Sequence, residues 1–284
     1  MPRYAIAIDV EKCTGCHSCF LACKDEFAGN DFLPTSKAQA ADGQQWLRIE
    51  EIEHGAGTKV KVDYLPVMCQ HCEGEDAPCI LPNNQGAVYR RDDGIVIIDP
   101  EKARGRRDIV DSCPYGVVSW NQESDLPQKC TLCAHLLDAG EKTVRCVECC
   151  PTGALVFGDL DDPHSEVSRL LAAALGRVES LRPELGTKPT TKYLGIPKPF
   201  IAGEVLLADR SGECVQGAKV TLEAKDSGKT IETTTDFLGD FEFKNLARDK
   251  EYVVKAEFPG YFPQEIVVRT SGSQNLGEVV LVAK

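Results

Sequence analysis

An apolar, β-prone run, Ala5-Ile6-Ala7-Ile8, opens the chain and breaks off at Asp9, which predicts a strand at the N-terminus. Two hairpins follow in the pattern. Residues 46–53 and 59–64 alternate around His54-Gly55-Ala56-Gly57, and residues 87–90 and 95–98 flank Asp92-Asp93-Gly94. A helical period appears over 166–178, with Val167, Leu170, Leu171, Ala174 and Val178 on one face. From 182 to 200 the pattern dissolves: Pro183, Pro189, Pro197 and Pro199, with Gly186 and Gly195, predict an extended arm with neither helix nor interior strand. Beyond it, seven short β-branched runs (203–207, 218–224, 230–235, 241–244, 252–258, 265–269 and 277–282) are separated by turn residues and predict a small β-sandwich. The chain is therefore expected to be α+β, with a first domain over 1–160 that carries an insertion at 24–66, a helix and Pro-rich arm over 161–199, and an all-β domain over 200–284.

Length supports this division, since 284 residues exceed what one core usually serves. The net charge of −12, with no Lys/Arg-rich block, argues against nucleic acid or an anionic membrane as partner. No apolar run approaches the roughly 20 residues of a membrane-spanning helix. The first residues read as a strand and not as a cleavable leader, so a cytoplasmic location is expected.

Cysteine changes the picture most. Of 14 cysteines, 13 lie before residue 151 in tight spacings, which favours metal binding over disulfides in such a chain. Ile8-Asp9-Val10-Glu11-Lys12 leads into Cys13, Cys16, Cys19 and Cys23, the C-x2-C-x2-C-x3-C run of bacterial ferredoxins. Ninety residues on, Ile98-Asp99-Pro100-Glu101-Lys102 leads in the same register into Ala103, Arg106, Ile109 and Cys113. A second motif recurs as Cys150-Pro151-Thr152-Gly153, Cys113-Pro114-Tyr115-Gly116 and Asn83-Asn84-Gln85-Gly86. Asn83 thus stands where a cysteine would. In ferredoxins each group exports its fourth thiolate to a second cluster. The exchange gives three sets: Cys13, Cys16, Cys19 with Cys150; Cys130, Cys133, Cys146 with Cys23; and Cys69, Cys72, Cys79 with Cys113. The fourth set would be Ala103, Arg106, Ile109 and Asn83, none of them a thiolate, so one cluster of a duplicated pair is deleted. Three [4Fe-4S] clusters are the expectation.

A zinc ribbon over Cys130, Cys133, Cys146 and Cys149 is the competing assignment. It leaves the run from Cys13 to Cys23 and the Cys-Pro-x-Gly repeats unexplained. Cys149 is then read as a buried thiol near a cluster, Cys214 as an ordinary β-domain residue, and Trp46 and Trp120 as core. His71 and His135 are read as side chains at the surface or behind the ligands. Lys24, Lys129 and Arg145 adjoin ligands and could raise cluster potentials, or be solvated surface. No nucleophile–base pair, phosphate loop or dinucleotide fingerprint is present, so electron carriage without a substrate site implies a partner.

Four cysteine groups in this order, with Lys129-Cys130-Thr131-Leu132-Cys133 and Cys113-Pro114-Tyr115-Gly116, resemble the iron–sulfur subunits of the dimethyl-sulfoxide-reductase family. The lost cluster, the segment Pro183-Glu184-Leu185-Gly186-Thr187-Lys188-Pro189 and the trailing β-domain look like small subunits of the pyrogallol–phloroglucinol transhydroxylase type. The resemblance implies duplicated ferredoxin-like folding, the same twelve cysteine ligands, and a large catalytic partner carrying molybdenum or tungsten on two pterins. It also implies action on hydroxylated aromatics, of the transhydroxylase or resorcinol-hydroxylase kind. The C-terminal region resembles carboxypeptidase-regulatory-like (transthyretin- or Ig-like) sandwiches through Gly217-Ala218-Lys219-Val220 and Thr235-Asp236-Phe237-Leu238-Gly239-Asp240-Phe241. A free-standing polyferredoxin is the alternative to a bound subunit.

Overall fold

The computed structural model describes residues 1–56, 59–74, 77–80, 85–210 and 213–284. Asn83 lies outside them. The chain divides into two compact units, Met1–Glu51 with Tyr64–Ile196, and Ile52–Asp63 with Pro197–Lys284. Strands outnumber helices in both.

In the first unit the apolar N-terminal run forms the strand Tyr4–Asp9, with Ala5 to Ile8 wholly buried. It pairs antiparallel with Leu155–Asp159 and parallel with Lys192–Leu194, which in turn pairs with Val178–Glu179. The interior place of Lys192–Leu194 corrects the expectation of an extended arm with no interior strand. Between Pro189 and Gly195 the chain has no breaker, and this short window carries Tyr193, fully buried with its hydroxyl donating to Pro66 O at 3.1 Å. The helix is Glu166–Ala173, capped by Ser165, whose Oγ accepts from Ser168 N. It is shorter than its apolar period because Gly176 takes a left-handed φ of +86°. Val178 therefore continues the apolar cluster from a strand, beside Ala7, Val167 and Leu194.

Three hairpins complete the unit or extend from it: Leu47–Ala56 with Lys59–Met68, Val88–Arg90 with Val96–Ile98, and Ser119–Asn121 with Leu126–Gln128. The first is longer than its alternation suggests, running on through His54, and its far end, Ile52–Asp63, belongs to the second unit. There His54 is buried, its Nδ1 2.8 Å from Ser273 Oγ.

The duplication survives in the backbone. Asp9 N donates to Ala154 O at 2.8 Å, and Asp99 N donates to Ala87 O at the same distance. These four residues occupy equivalent places in the two copies. In each copy an antiparallel pair sets the residues after one strand beside those before the other.

The second unit contains all seven expected strands. Ile201–Leu207 pairs with Glu213–Cys214, Asp240–Phe243 and, in parallel, Gln274–Leu281. Thr230–Thr234, Lys219–Ala224, Glu251–Glu257 and Gln264–Arg269 form the other sheet in that order. One apolar core draws on both, including Ile201, Val205, Val220, Phe241, Val254 and Leu281. Thr235 ties its turn: the hydroxyl donates to Val215 O and accepts from Ala218 N at 2.9 Å. Thr235→Val strips both buried backbone groups of their partner, so unfolding of the full chain should show a loss of about 1–3 kcal/mol.

Candidate metal centres

The loops of Cys69 and Cys130 begin where a strand ends, that of Cys13 begins after the 3-10 turn Val10–Lys12, and the backbone then coils tightly. In the turns Cys13–Cys16, Cys69–Cys72 and Cys130–Cys133 the residue before the second cysteine has a left-handed φ: Gly15 at +67°, His71 at +44° and Leu132 at +51°. Such conformations are costly for residues other than glycine and collect at functional sites. Their effect here is to turn backbone N–H groups toward sulfur. Leu132 N donates to Cys130 Sγ at 3.4 Å and His71 N to Cys69 Sγ at 3.5 Å. At Gly15 a side chain is also excluded by space, since a Cβ would lie 2.4 Å from the Tyr64 ring.

Cys69, Cys72, Cys79 and Cys113 line one cavity, closed by Tyr115 and Lys129 among others. Burial pushes the Cys72 thiol up to about 11 and that of Cys79 to about 12, with neighbouring cysteines adding to both shifts. Cys23, Cys130, Cys133 and Cys146 line a second cavity, walled by Phe27 and Trp46. Burial raises Cys130 to about 12 and Cys133 to about 11, and holds Cys23 and Cys146 well above the ordinary thiol value. The third group, Cys13, Cys16, Cys19 and Cys150, lies nearer the surface, with Cys16 exposed. Its members sense one another: Cys150 acts on Cys13 and Cys19, and Cys16 on Cys13. Strand pairing accounts for this. Cys13 follows Tyr4–Asp9 and Cys150 precedes Leu155–Asp159, so the register Ile8 with Leu155 brings the two loops together. Burial acts to raise Cys150, but hydrogen bonds from Leu155, Thr152 and Ala154 outweigh it and leave the thiol below its usual value.

Neighbouring groups also sense one another. Cys19 acts on Cys23 and Cys146, which links the first group to the second. Cys69 is the strongest cysteine influence on Cys130, which links the second to the third. Cys149 sits beside Cys150, Cys16 and Cys19. Cys214 is exposed, with its thiol donating to Glu204 Oε1 at 3.0 Å.

These donor sets fit an iron–sulfur group. In the two largely apolar cavities burial opposes ionisation of Cys72, Cys79, Cys130 and Cys133, and a cationic iron core would supply the charge that lets them bind as thiolates. Among the described residues, no three of His, Cys, Asp or Glu close around a lone metal ion. At the repeat positions that lack cysteines, Ala103 and Ile109 are fully buried in an aliphatic core with Val88, Val96 and Leu126. Arg106 turns outward to Asp108 at 2.6 Å.

Several residues behind the ligands carry no local sequence signal. Tyr115 Oη lies 2.6 Å from Thr187 Oγ1, and the Thr187 side chain also hydrogen-bonds Cys72. Thr191 Oγ1 donates to Cys69 O at 3.2 Å, and Arg90 Nη2 to Cys72 O at 2.6 Å. His71 is wholly buried and not at the surface, its Nδ1 accepting from Val96 N at 3.0 Å. His135 stacks on Phe32 and bonds Glu26 Oε1 at 2.8 Å, and Arg145 holds the other oxygen of Glu26 at 2.6 Å. Lys24 donates to Ala40 O and Gln44 O. Trp46 is core, whereas Trp120 is half-buried beneath the Arg107 guanidinium.

Comparison with known proteins now has a site to attach to. Residues 60–160 match the 4Fe-4S dicluster domain, and residues 201–282 the carboxypeptidase regulatory-like domain. The chain is 39% identical to the pyrogallol hydroxytransferase small subunit of Pelobacter acidigallici, over 99% of this chain and 100% of that one. It is 34% identical to the B component of tetrathionate reductase from Salmonella typhimurium, over 70% of this chain and 75% of that one. The B component of the anaerobic dimethyl sulfoxide reductase of Escherichia coli is 33% identical, over 69% of this chain and 98% of that one. No helix among the described residues is long and apolar enough to cross a membrane.

Proposed function

This chain belongs to the family of dimethyl-sulfoxide-reductase-type iron–sulfur subunits that includes the pyrogallol hydroxytransferase small subunit, and from that premise we propose that it is the electron-transfer subunit of a heteromeric molybdenum or tungsten bis-pterin oxidoreductase. The single observation that carries the reading is the gathering of cysteines from distant loops into four-thiol groups, two of which each line a cavity of their own. Clusters bound there would supply one-electron transfer. The chain's own residues hold and shield them. Cys13, Cys16, Cys19 and Cys150 would bind one, Cys23, Cys130, Cys133 and Cys146 the second, and Cys69, Cys72, Cys79 and Cys113 the third.

The pterin-bearing large subunit supplies the catalytic site in this reading. Full-length likeness to the hydroxytransferase subunit, β-unit included, favours a hydroxylated aromatic as the partner's substrate. We read the first 160 residues as the duplicated ferredoxin-like domain and the C-terminal unit as a transthyretin- or Ig-like sandwich that stabilises the complex. The location that suits such an enzyme is cytoplasmic.

The test is elemental analysis of anaerobically purified complex. About twelve irons and twelve sulfides per chain, with little zinc, are expected, together with molybdenum or tungsten in the same fraction. One or two zincs without sulfide would end the redox reading.

A further inference from the structure

Four cations adjoin the assigned cysteines in the sequence, and the structure separates them, with exposed Lys12 facing Asp9 at 3.4 Å. Arg145 is answered by Glu26 at 2.6 Å and Glu148 at 2.8 Å. Lys24 is half-buried and turned to two carbonyls. Lys129 is different, being 2% exposed with no carboxylate partner among the described residues. Its Nζ donates to Val96 O and, at 3.1 Å, to Cys130 O. An ammonium has three protons to give, and two carbonyl dipoles do not balance a buried unit charge.

What lies beside Lys129 is the cavity that it helps to line, with Cys69, Cys72, Cys79 and Cys113. Its charge is felt at Cys79 and Cys113, and also at Cys130 and His71. A [4Fe-4S] core with four thiolates is a net anion and gains one further negative charge when reduced. A fixed cation in a low-dielectric wall therefore favours the reduced state over the oxidised one.

We propose that Lys129 is the buried counter-ion of the cluster held by Cys69, Cys72, Cys79 and Cys113, and that it selectively raises the reduction potential of that cluster. The role is positioning of charge; Lys129 touches no reacting atom. The inference rests on the three-cluster reading above and adds which residue tunes which cluster.

The experiment is a dithionite-poised redox titration of the purified complex, each cluster followed by EPR, for the unaltered protein, Lys129→Met and Lys129→Arg. At a fixed potential, Lys129→Met should lower the reduced-to-oxidised ratio of this cluster about tenfold, a shift of about 59 mV for one electron. Lys129→Arg should recover most of the loss, and the cluster on Cys13, Cys16, Cys19 and Cys150 should stay put. No change at this cluster, or equal changes at all three, overturns the proposal. Should the uncharged variant not take up clusters, the unaltered complex grown with nitrogen-labelled lysine gives the second test. A lysine nitrogen coupling on the reduced signal of this cluster supports the proposal, and its absence overturns it. Iron and sulfide far below three clusters in the unaltered complex would instead sink the reading on which the inference rests.

Discussion

Cys113→Ser should cost the protein about four of its irons, and the loss should fall on the cluster held by Cys69, Cys72 and Cys79. Cys113 is more than thirty residues from Cys79 in sequence, yet the four thiols line one cavity. Serine offers a harder and far less acidic donor, and Cys72 and Cys79 lie in a pocket where burial opposes ionisation. Iron and sulfide determination, with EPR of the reduced protein, reads the outcome. Signals from the other two clusters should persist, because no residue of those sets changes. Loss from the set around Cys130 instead would show that Cys113 serves the neighbouring group, which also lies close.

The second large effect belongs to the positions that the sequence repeat aligns with cysteines but fills with other residues. Ile109 occupies the position of a third ligand in the repeat, and it is fully buried among Val88, Val96, Ala103 and Leu126. Cys79 and Cys113 pack against the same cluster of side chains. Ile109→Ala removes several buried carbon atoms from a close-packed core, and such truncations cost about 2–5 kcal/mol. Denaturant unfolding should show that loss. Chelator challenge should show iron leaving the neighbouring centre faster, because the wall carrying two of its thiols has loosened. A cost well under about 1 kcal/mol would mean that the site collapses freely and that apolar packing has not taken over the role of the lost metal.

Much of the β-rich C-terminal unit was legible because each of its strands is short, β-branched and fenced by turn residues. The seven runs and the seven long strands agree to within a few residues. The helix over 166–173 was legible in its buried face but not in its end, which a left-handed glycine sets. The reading failed at 182–200. Proline content dominates that window, yet Thr190, Thr191 and Tyr193 are almost wholly buried and fastened to Gln70, Cys69 and Pro66. A composition argument averages over the window; the interior strand needs only three residues and partners more than a hundred positions away.

By itself, the sequence determined the chemistry on offer: which thiols share a loop, that two stretches ninety residues apart match in register, and that the second carries Ala103, Arg106 and Ile109 where the first carries cysteines. Those properties are local, carried by spacing within a turn or by register between copies. Only the tertiary structure decided what surrounds each thiol. Tyr115 and Thr187 behind Cys72, the buried ring of His71, and the contrast between half-buried Lys24, paired Arg145 and enclosed Lys129 all depend on long-range packing. The physical reason is that a residue's charge, or its hydrogen bond, takes its weight from the medium around it. That medium is assembled from segments which the chain order keeps far apart.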